Sequence, residues 1–169
     1  GYDFLKDKCE VEVMPALGTH MAMNEEELAF MYPGIPYDRF RVHNWRTDVV
    51  KIGEVPLDFV EEISEDRFHE MIEVEINKRI VDPAYDLILS IGQVVPHEVA
   101  GMANYSKNIF VGCGGKKIID RSHMISALYG MERVMGMDGT PTHKLFDYVS
   151  EKFLKGRPIY YLLTVTTTD

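Results

Sequence analysis

Cysteine is nearly absent: the 169 residues include only Cys9 and Cys113. That count leaves no room for the disulfide framework of a small secreted scaffold and fits a reducing compartment. A chain of this size does not need such staples, because it buries roughly 68–70% of its unfolded surface on folding. Long apolar runs are missing too. None approaches the ~18 residues of a membrane span and no signal peptide opens the chain, so a cytoplasmic location and no membrane partner are expected. Positive charge is scarce. The 18 Lys and Arg face 27 Asp and Glu, a net charge of −9. Nucleic acid is therefore not expected as a partner, since polyanion binding draws on clustered cations. There is no internal repeat, no low-complexity linker and no composition shift that would mark a second domain.

What is present is ordinary for a globular protein, with 46% hydrophobic and 27% charged residues, enough apolar matter for one core. The length suits one domain or a large piece of one. The first residue is Gly rather than Met, and the opening residues read like the interior of something longer. Residues 1–169 are thus expected to be a single domain's worth of a larger protein.

Apolar spacing suggests alternating strands and helices. "CEVEVMPAL" alternates, with Val11 and Val13 on one face, and runs into the turn "GTH". "NEEELAFMY" reads as a helix with Asn24 as N-cap and glutamates in its first turn, stopped by "PGIP". "RFRVHNW" and "VVKIGEV" are short strand candidates, and "EISEDRFHEMIE" is polar and ambiguous. "YDLILSIGQVV" is the strongest strand, a continuous apolar run of the kind covered on both faces. "KNIFVG" reads as another short strand. "KIIDRSHMISALYG" reads as a helix closed by Gly130. "THKLFDYVSEKFL" follows as a helix, with Thr142 as N-cap and Leu145, Val149 and Phe153 on one stripe. "PIYYLLTVTT" closes the chain as a strand. The pattern predicts an α/β fold, a layered sheet with flanking helices.

Ligands in open α/β sheets bind beyond the C-terminal ends of strands. His20 follows the first strand candidate through "ALGTH", and His97 follows the strongest one through "VVPH". Parallel strands in one sheet would aim both imidazoles into one crevice, although a histidine there also serves to cap a neighbouring backbone group. His123 lies in the helix after the glycine loop and shares a face with Ile119 and Ala127, which equally fits a satisfied core histidine. Lys107, between "ANYS" and "NIFVG", could snorkel to solvent or be a desolvated nucleophilic amine. "GCGGKK" looks like an anion-binding nest ahead of a helix, but it is neither a Walker loop nor a dinucleotide fingerprint. Cys113 has no second cysteine nearby, so a zinc knuckle is excluded. His43, His69 and His143 have weaker claims.

Taken together, "ALGTH", "PHEVAGMANYSK" and "DRSH" resemble the nickel-dependent lactate racemase family. The spacings match: Lys107 lies ten residues after His97 (107 − 97), and His123 sixteen after Lys107 (123 − 107). The likeness extends through "MNEEEL", "VHNWR" and "LILSIGQVVPHEVAG", so it covers most of residues 9–130. It implies a larger Rossmann-like N-terminal domain, of which this chain is the central portion with the C-terminal domain absent. It also implies an isomerase that racemises or epimerises 2-hydroxyacids by proton-coupled hydride transfer to a nickel-pincer pyridinium mononucleotide. By resemblance Lys107 tethers that cofactor, His123 ligates Ni, and His20 and His97 are the acid–base pair on opposite faces of the substrate carbon. Neutral imidazole suits Ni(II), and an unperturbed pKa of ~6.5 suits proton transfer. The implied partners are a small 2-hydroxyacid and the cofactor-synthesis enzymes.

Two departures bear on the substrate. Family members carry glycines and small residues just before the lysine, where this chain has Asn104 and Tyr105. The acid and arginine that the family uses upstream of the "GTH" histidine fall outside the chain. The fragment by itself is therefore expected to be inactive. A sugar-acid epimerase of the same family and a non-catalytic metal- or nucleotide-binding module remain as alternatives.

Overall fold

In the computed structural model, which describes residues 1–166, the element order is α1 (Tyr2–Leu5), α2 (Glu25–Met31), β1 (Val49–Val55), α3 (Leu57–Ile63), β2 (Ile72–Asn77), α4 (Lys78–Val81), β3 (Ile88–Gln93), β4 (Pro96–His97), β5 (Gly101–Met102), α5 (Lys116–Tyr129), α6 (Pro141–Phe153) and β6 (Ile159–Thr164). A π-helix, Asn108–Gly112, precedes α5. The fold is α/β, with helices flanking small parallel and antiparallel sheets. No helix among the described residues is long and apolar enough to cross a membrane.

The core forms around β2. Its alternating Ile72, Val74 and Ile76 are fully buried, as period-two patterning against a packed layer requires. β1 pairs antiparallel with β2, from Val49 opposite Asn77 to Val55 opposite Ile72. Helix α5 covers β2 and buries Ile118, Ile119 and Ile125. Helix α6 backs onto α5 with Leu145, Phe146 and Val149. β3 pairs parallel with β6, from Ile88 opposite Ile159 to Gln93 opposite Thr164, with the π-helix, α5 and α6 lying between them in the chain.

Several expectations hold. Asn24 caps α2 through a complete capping box, its side chain accepting from Glu27 N–H at 3.0 Å while Glu27 accepts from Asn24 N–H at 2.8 Å. β1 and α5 fall where periodicity put them, and Gly130 closes α5 with φ +105°. Thr167, the last residue of the closing strand candidate, lies outside the described residues.

Other expectations are corrected. "CEVEVMPAL" is not a strand. It touches "RFRVHNW" through a single bridge, Val13 to Phe40, so the alternating pattern there reflects an extended surface segment. "NIFVG" is the π-helix rather than a strand. Its neighbours Ile109 and Phe110 are both buried, whereas a strand would send them to opposite faces. Phe110 packs on Phe146 at 5.4 Å between ring centroids. The N-cap of α6 is Thr140, not Thr142. Pro141 occupies the first helical position, where its missing N–H costs nothing, and Thr140 Oγ1 accepts from His143 N–H at 3.2 Å. Thr142 is the buried second residue of the helix and donates to the Ser122 carbonyl at 3.4 Å. β3 is covered on one face only. Leu89 and Ile91, with Tyr160 and Leu162 opposite them on β6, form an exposed apolar face.

Phe146 joins α6 to the π-helix at the centre of this core. Phe146→Ala is expected to cost about 3–5 kcal/mol. The change would appear as a lower urea midpoint at unchanged slope; an unchanged midpoint would mean that this contact does not hold the two layers together.

Candidate active site

Beyond the C-terminal end of β3 the chain makes a tight hairpin in which His97 pairs with Gly101. His97 Nδ1 accepts the N–H groups of Val99 at 3.0 Å and Ala100 at 3.3 Å, so its ring closes the turn. Gly101 has φ +86°, and a Cβ there would collide with the Met137 carbonyl, so only glycine fits. Thr140 Oγ1 donates to the Ala100 carbonyl at 3.1 Å, and Gly136 N–H donates to the Gly101 carbonyl at 2.8 Å. These two bonds fix the hairpin against the start of α6.

The segment leading to Lys107 is unusual. Asn104 (φ +65°) and Tyr105 (φ +54°) are both left-handed without being glycine. Three contacts hold them against the sheet. Asn104 Nδ2 donates to the Gln93 carbonyl. The Tyr105 ring lies 4.4 Å from that of Tyr161 on β6. Asn108 Nδ2 donates to Ser90 Oγ at 3.2 Å. Glycine would adopt this conformation without strain. Lys107 itself is half-buried at the start of the π-helix. Burial holds its amine below the usual lysine range, against the opposing pull of the Glu98 carboxylate.

His123 lies half-buried on α5, with Nδ1 donating to the Ile119 carbonyl at 2.6 Å. That bond places the proton on Nδ1 and leaves the Nε2 lone pair bare, the state in which a metal-binding histidine is held. The charges of Lys107 and His123 both reach His97. Its pKa is lowered by burial first, then by Lys107 and His123, with Glu98 opposing. His97 therefore lies within electrostatic reach of both Lys107 and His123. Glu98 is a carboxylate beside them and was missed in the sequence, where its only signal is an isolated acid between His97 and an apolar run. Its pKa is lowered by a bond to its own backbone N–H, then by His97, Lys107 and His123.

His20 is placed differently. The strand expected before it is absent, so the strand-end argument does not apply. His20 stands exposed in a turn that docks beside the π-helix, where Gly18 N–H donates to the Gly112 carbonyl at 2.7 Å. Among the described residues no hydrogen bond or ion pair joins its side chain to the other three.

The glycine loop is not an anion nest. Gly115 N–H is taken by the Glu75 carbonyl at 2.8 Å, and the Cys113 carbonyl accepts from Asn77 N–H at 2.8 Å, so the loop is spent extending the edge of β2. Buried His43 clamps it. His43 Nε2 donates to the Gly114 carbonyl and its Nδ1 accepts from Asn77 Nδ2, each at 2.9 Å. The one cluster of three metal-capable groups among the described residues, Glu61, Asp66 and His69, lies elsewhere. There His69 is ion-paired to Glu61 at 2.9 Å.

Residues 5–135 match the family described as the lactate racemase N-terminal domain. Among solved structures, a protein from Thermotoga maritima superposes with a TM-score of 0.88 at 25% identity, over 99% of this chain and 42% of that one. The lactate racemase apoprotein from Thermoanaerobacterium thermosaccharolyticum superposes at 0.73 with 22% identity, over 95% of this chain and 36% of that one. The chain thus spans less than half the length of either structure. No curated protein matches it.

The His43 clamp should make stability depend on pH. Burial lowers its pKa below the ordinary value of 6.5, opposed by Gly114 and Asp48. The stabilisation is therefore present above the unfolded value and lost as pH falls through the folded one. In that window stability should drop by up to about 1.4 kcal/mol per pH unit. His97, also lowered, adds in the same direction, whereas the window of Lys107 opens higher, just below the ordinary lysine range. His43→Gln keeps both a donor and an acceptor without a titrating ring. Urea midpoints across pH 5–8 should show a shallower slope in that variant; an equal slope would place the effect elsewhere. Cys113 is buried and its thiol is pushed up to about 12. A thiol reagent should label Cys9 alone in the folded protein and both cysteines in urea, read by intact mass.

Proposed function

The chain belongs to the lactate racemase N-terminal domain family, and from that premise we propose that it supplies acid–base, tethering and metal-holding groups of an isomerase acting on 2-hydroxyacids. The observation that carries this reading is the convergence of His97, Lys107 and His123, with His123 Nε2 bare and Nδ1 fixed on a carbonyl. Inversion at a hydroxyl-bearing carbon requires a proton to leave the hydroxyl on one side and return on the other. Two imidazoles suit that task because each exchanges protons near neutral pH. His97 is one, held by its hairpin. His20 is assigned as the other, carried by the turn that docks on the π-helix.

The residues fit a nickel-pincer pyridinium cofactor. A half-buried amine with lowered pKa is a fair nucleophile for a covalent tether, and His123 offers the one free nitrogen that a nickel ligand requires. When bound, such a cofactor supplies a hydride acceptor beside the substrate carbon. Lys107 would fix its position and His123 would hold its metal. The chain would then be the central portion of a larger N-terminal domain. The open apolar face of β3 and β6 supports this, since parallel strands are ordinarily covered on both sides. A sugar-acid epimerase on the same site is the second reading. It draws on Tyr105, a bulky exposed side chain at the shoulder of Lys107.

The test uses the full-length protein, co-produced with the cofactor-synthesis enzymes and assayed on panels of hydroxyacids and sugar acids. Lys107→Arg should abolish the covalent adduct in intact mass, because a guanidinium is a poor acyl acceptor. His123→Ala should lower nickel content. His20→Ala and His97→Ala should keep adduct and metal yet lose roughly 10²–10⁴-fold in racemisation. Near-normal racemisation in either of the last two would dismiss the two-imidazole assignment. Equal nickel loss in all four variants would mean damage to the fold.

A further inference from the structure

His97 is held in a form that cannot accept a proton at Nε2. Its Nδ1 accepts two backbone N–H groups, so in the neutral ring the proton sits on Nε2. A base at Nε2 needs that nitrogen bare, which moves the ring proton to Nδ1. An acid at Nε2 is the imidazolium, which also carries a proton on Nδ1. Both working forms therefore aim an N–H at two N–H donors unless an acceptor takes its place.

A charged acceptor stands close by. Glu98 Oε2 lies 3.8 Å from His97 Nδ1, too far for a hydrogen bond as placed, on a side chain that is 54% exposed. The charged groups that act on His97 are Glu98, Lys107 and His123, of which only Glu98 is an anion. No hydrogen bond links His97 to His123, so the metal-holding role of the latter does not occupy this ring.

We propose that Glu98 is a positioning residue: it takes over His97 Nδ1 from the backbone, accepts the N–H there, and so frees Nε2 for proton exchange. The turn alternates between a resting state, with Nδ1 capped by Val99 and Ala100, and a working state, with Nδ1–H on Glu98. This is the arrangement in which a third group orients a catalytic base. The inference rests on the racemase reading for its purpose but not for its observable.

The test follows ¹⁵N shifts of the His97 ring nitrogens across pH in the chain itself, in the wild type, Glu98→Gln and Glu98→Ala. The wild type should be Nε2-protonated when neutral and should gain its second proton at Nδ1. Removing a carboxylate about 4 Å away should lower the His97 midpoint by about 0.7 of a pH unit in Glu98→Ala. Glu98→Gln, which keeps an acceptor oxygen without the charge, should fall between. In the loaded full-length enzyme, Glu98→Ala should lower kcat and move the acid limb of the pH profile with little change in KM. An unchanged midpoint in Glu98→Ala overturns the proposal, as does a neutral ring already protonated at Nδ1 in all three proteins. Intact ¹⁵N behaviour in a protein without racemase activity would sink the functional reading and leave the Glu98 assignment standing.

Discussion

The pairing of residues 113–115 with the edge of β2 is the constraint on which the site depends. It consists of two backbone bonds at 2.8 Å and a buried histidine that bonds to both partners. Without it α5 has no fixed start, because Gly115 supplies no side-chain cap. With it, the first turn of α5 is set against the most buried strand in the molecule, and the π-helix ahead of the loop is held by the same contact. Lys107 and His123 lie on opposite sides of that clamp in sequence. Their separation in space is therefore set by backbone bonding in the core rather than by anything in the site. His43 has no alternative role in that position. If Asn77 turned its amide over to suit a protonated ring, it would give up the bond from Arg79 N–H that caps α4.

The electrostatics run against the character of the chain as a whole. The protein carries a net charge of −9, yet the site gathers two imidazoles and an amine around one carboxylate. Burial favours the neutral forms of His97 and Lys107, and the Lys107 charge further disfavours a proton on His97. A metal-ligating histidine must be neutral, and so must a nucleophilic lysine. Glu98 works the other way, sustaining a proton near His97 where proton exchange requires one.

Legibility in the sequence followed the range of the forces involved. Asn24 with Glu27, Gly130, β1 and α5 were readable because caps and periodicity are local. The π-helix was not. "NIFVG" has strand composition, and only the packing of Phe110 against Phe146, thirty-six residues later (146 − 110), makes both neighbours core residues. Thr142 looked like a cap because its side chain suits one, but Pro141 moved the helix start back by two residues and tertiary packing buried the threonine. In the site, His97, Lys107 and His123 were legible as a spaced set through the family likeness. Their convergence was not, since the strand-end argument for His20 leaned on a strand that does not exist. Glu98 was invisible because its significance lies entirely in which nitrogen of its neighbour the backbone occupies.

The left-handed pair before Lys107 connects the substitution pattern to the site. Two consecutive residues at positive φ are easy for glycine and costly, of order 1–3 kcal/mol each, for other side chains. This chain places Asn and Tyr there and compensates with contacts that glycine could not make: an amide bond to Gln93 and a ring packed on Tyr161. Both anchors lie on the β3–β6 pair, so the strap holding Lys107 is tied to the two strands whose outer face is open and apolar. Whatever covers that face also steadies the anchors of the lysine. Tyr161 on the inner side of the pair is half-buried, and desolvation pushes its hydroxyl up to about 12. The position of Lys107 is thus coupled through two strands to a surface remote from it, and whatever completes the sheet would steady the lysine without touching it.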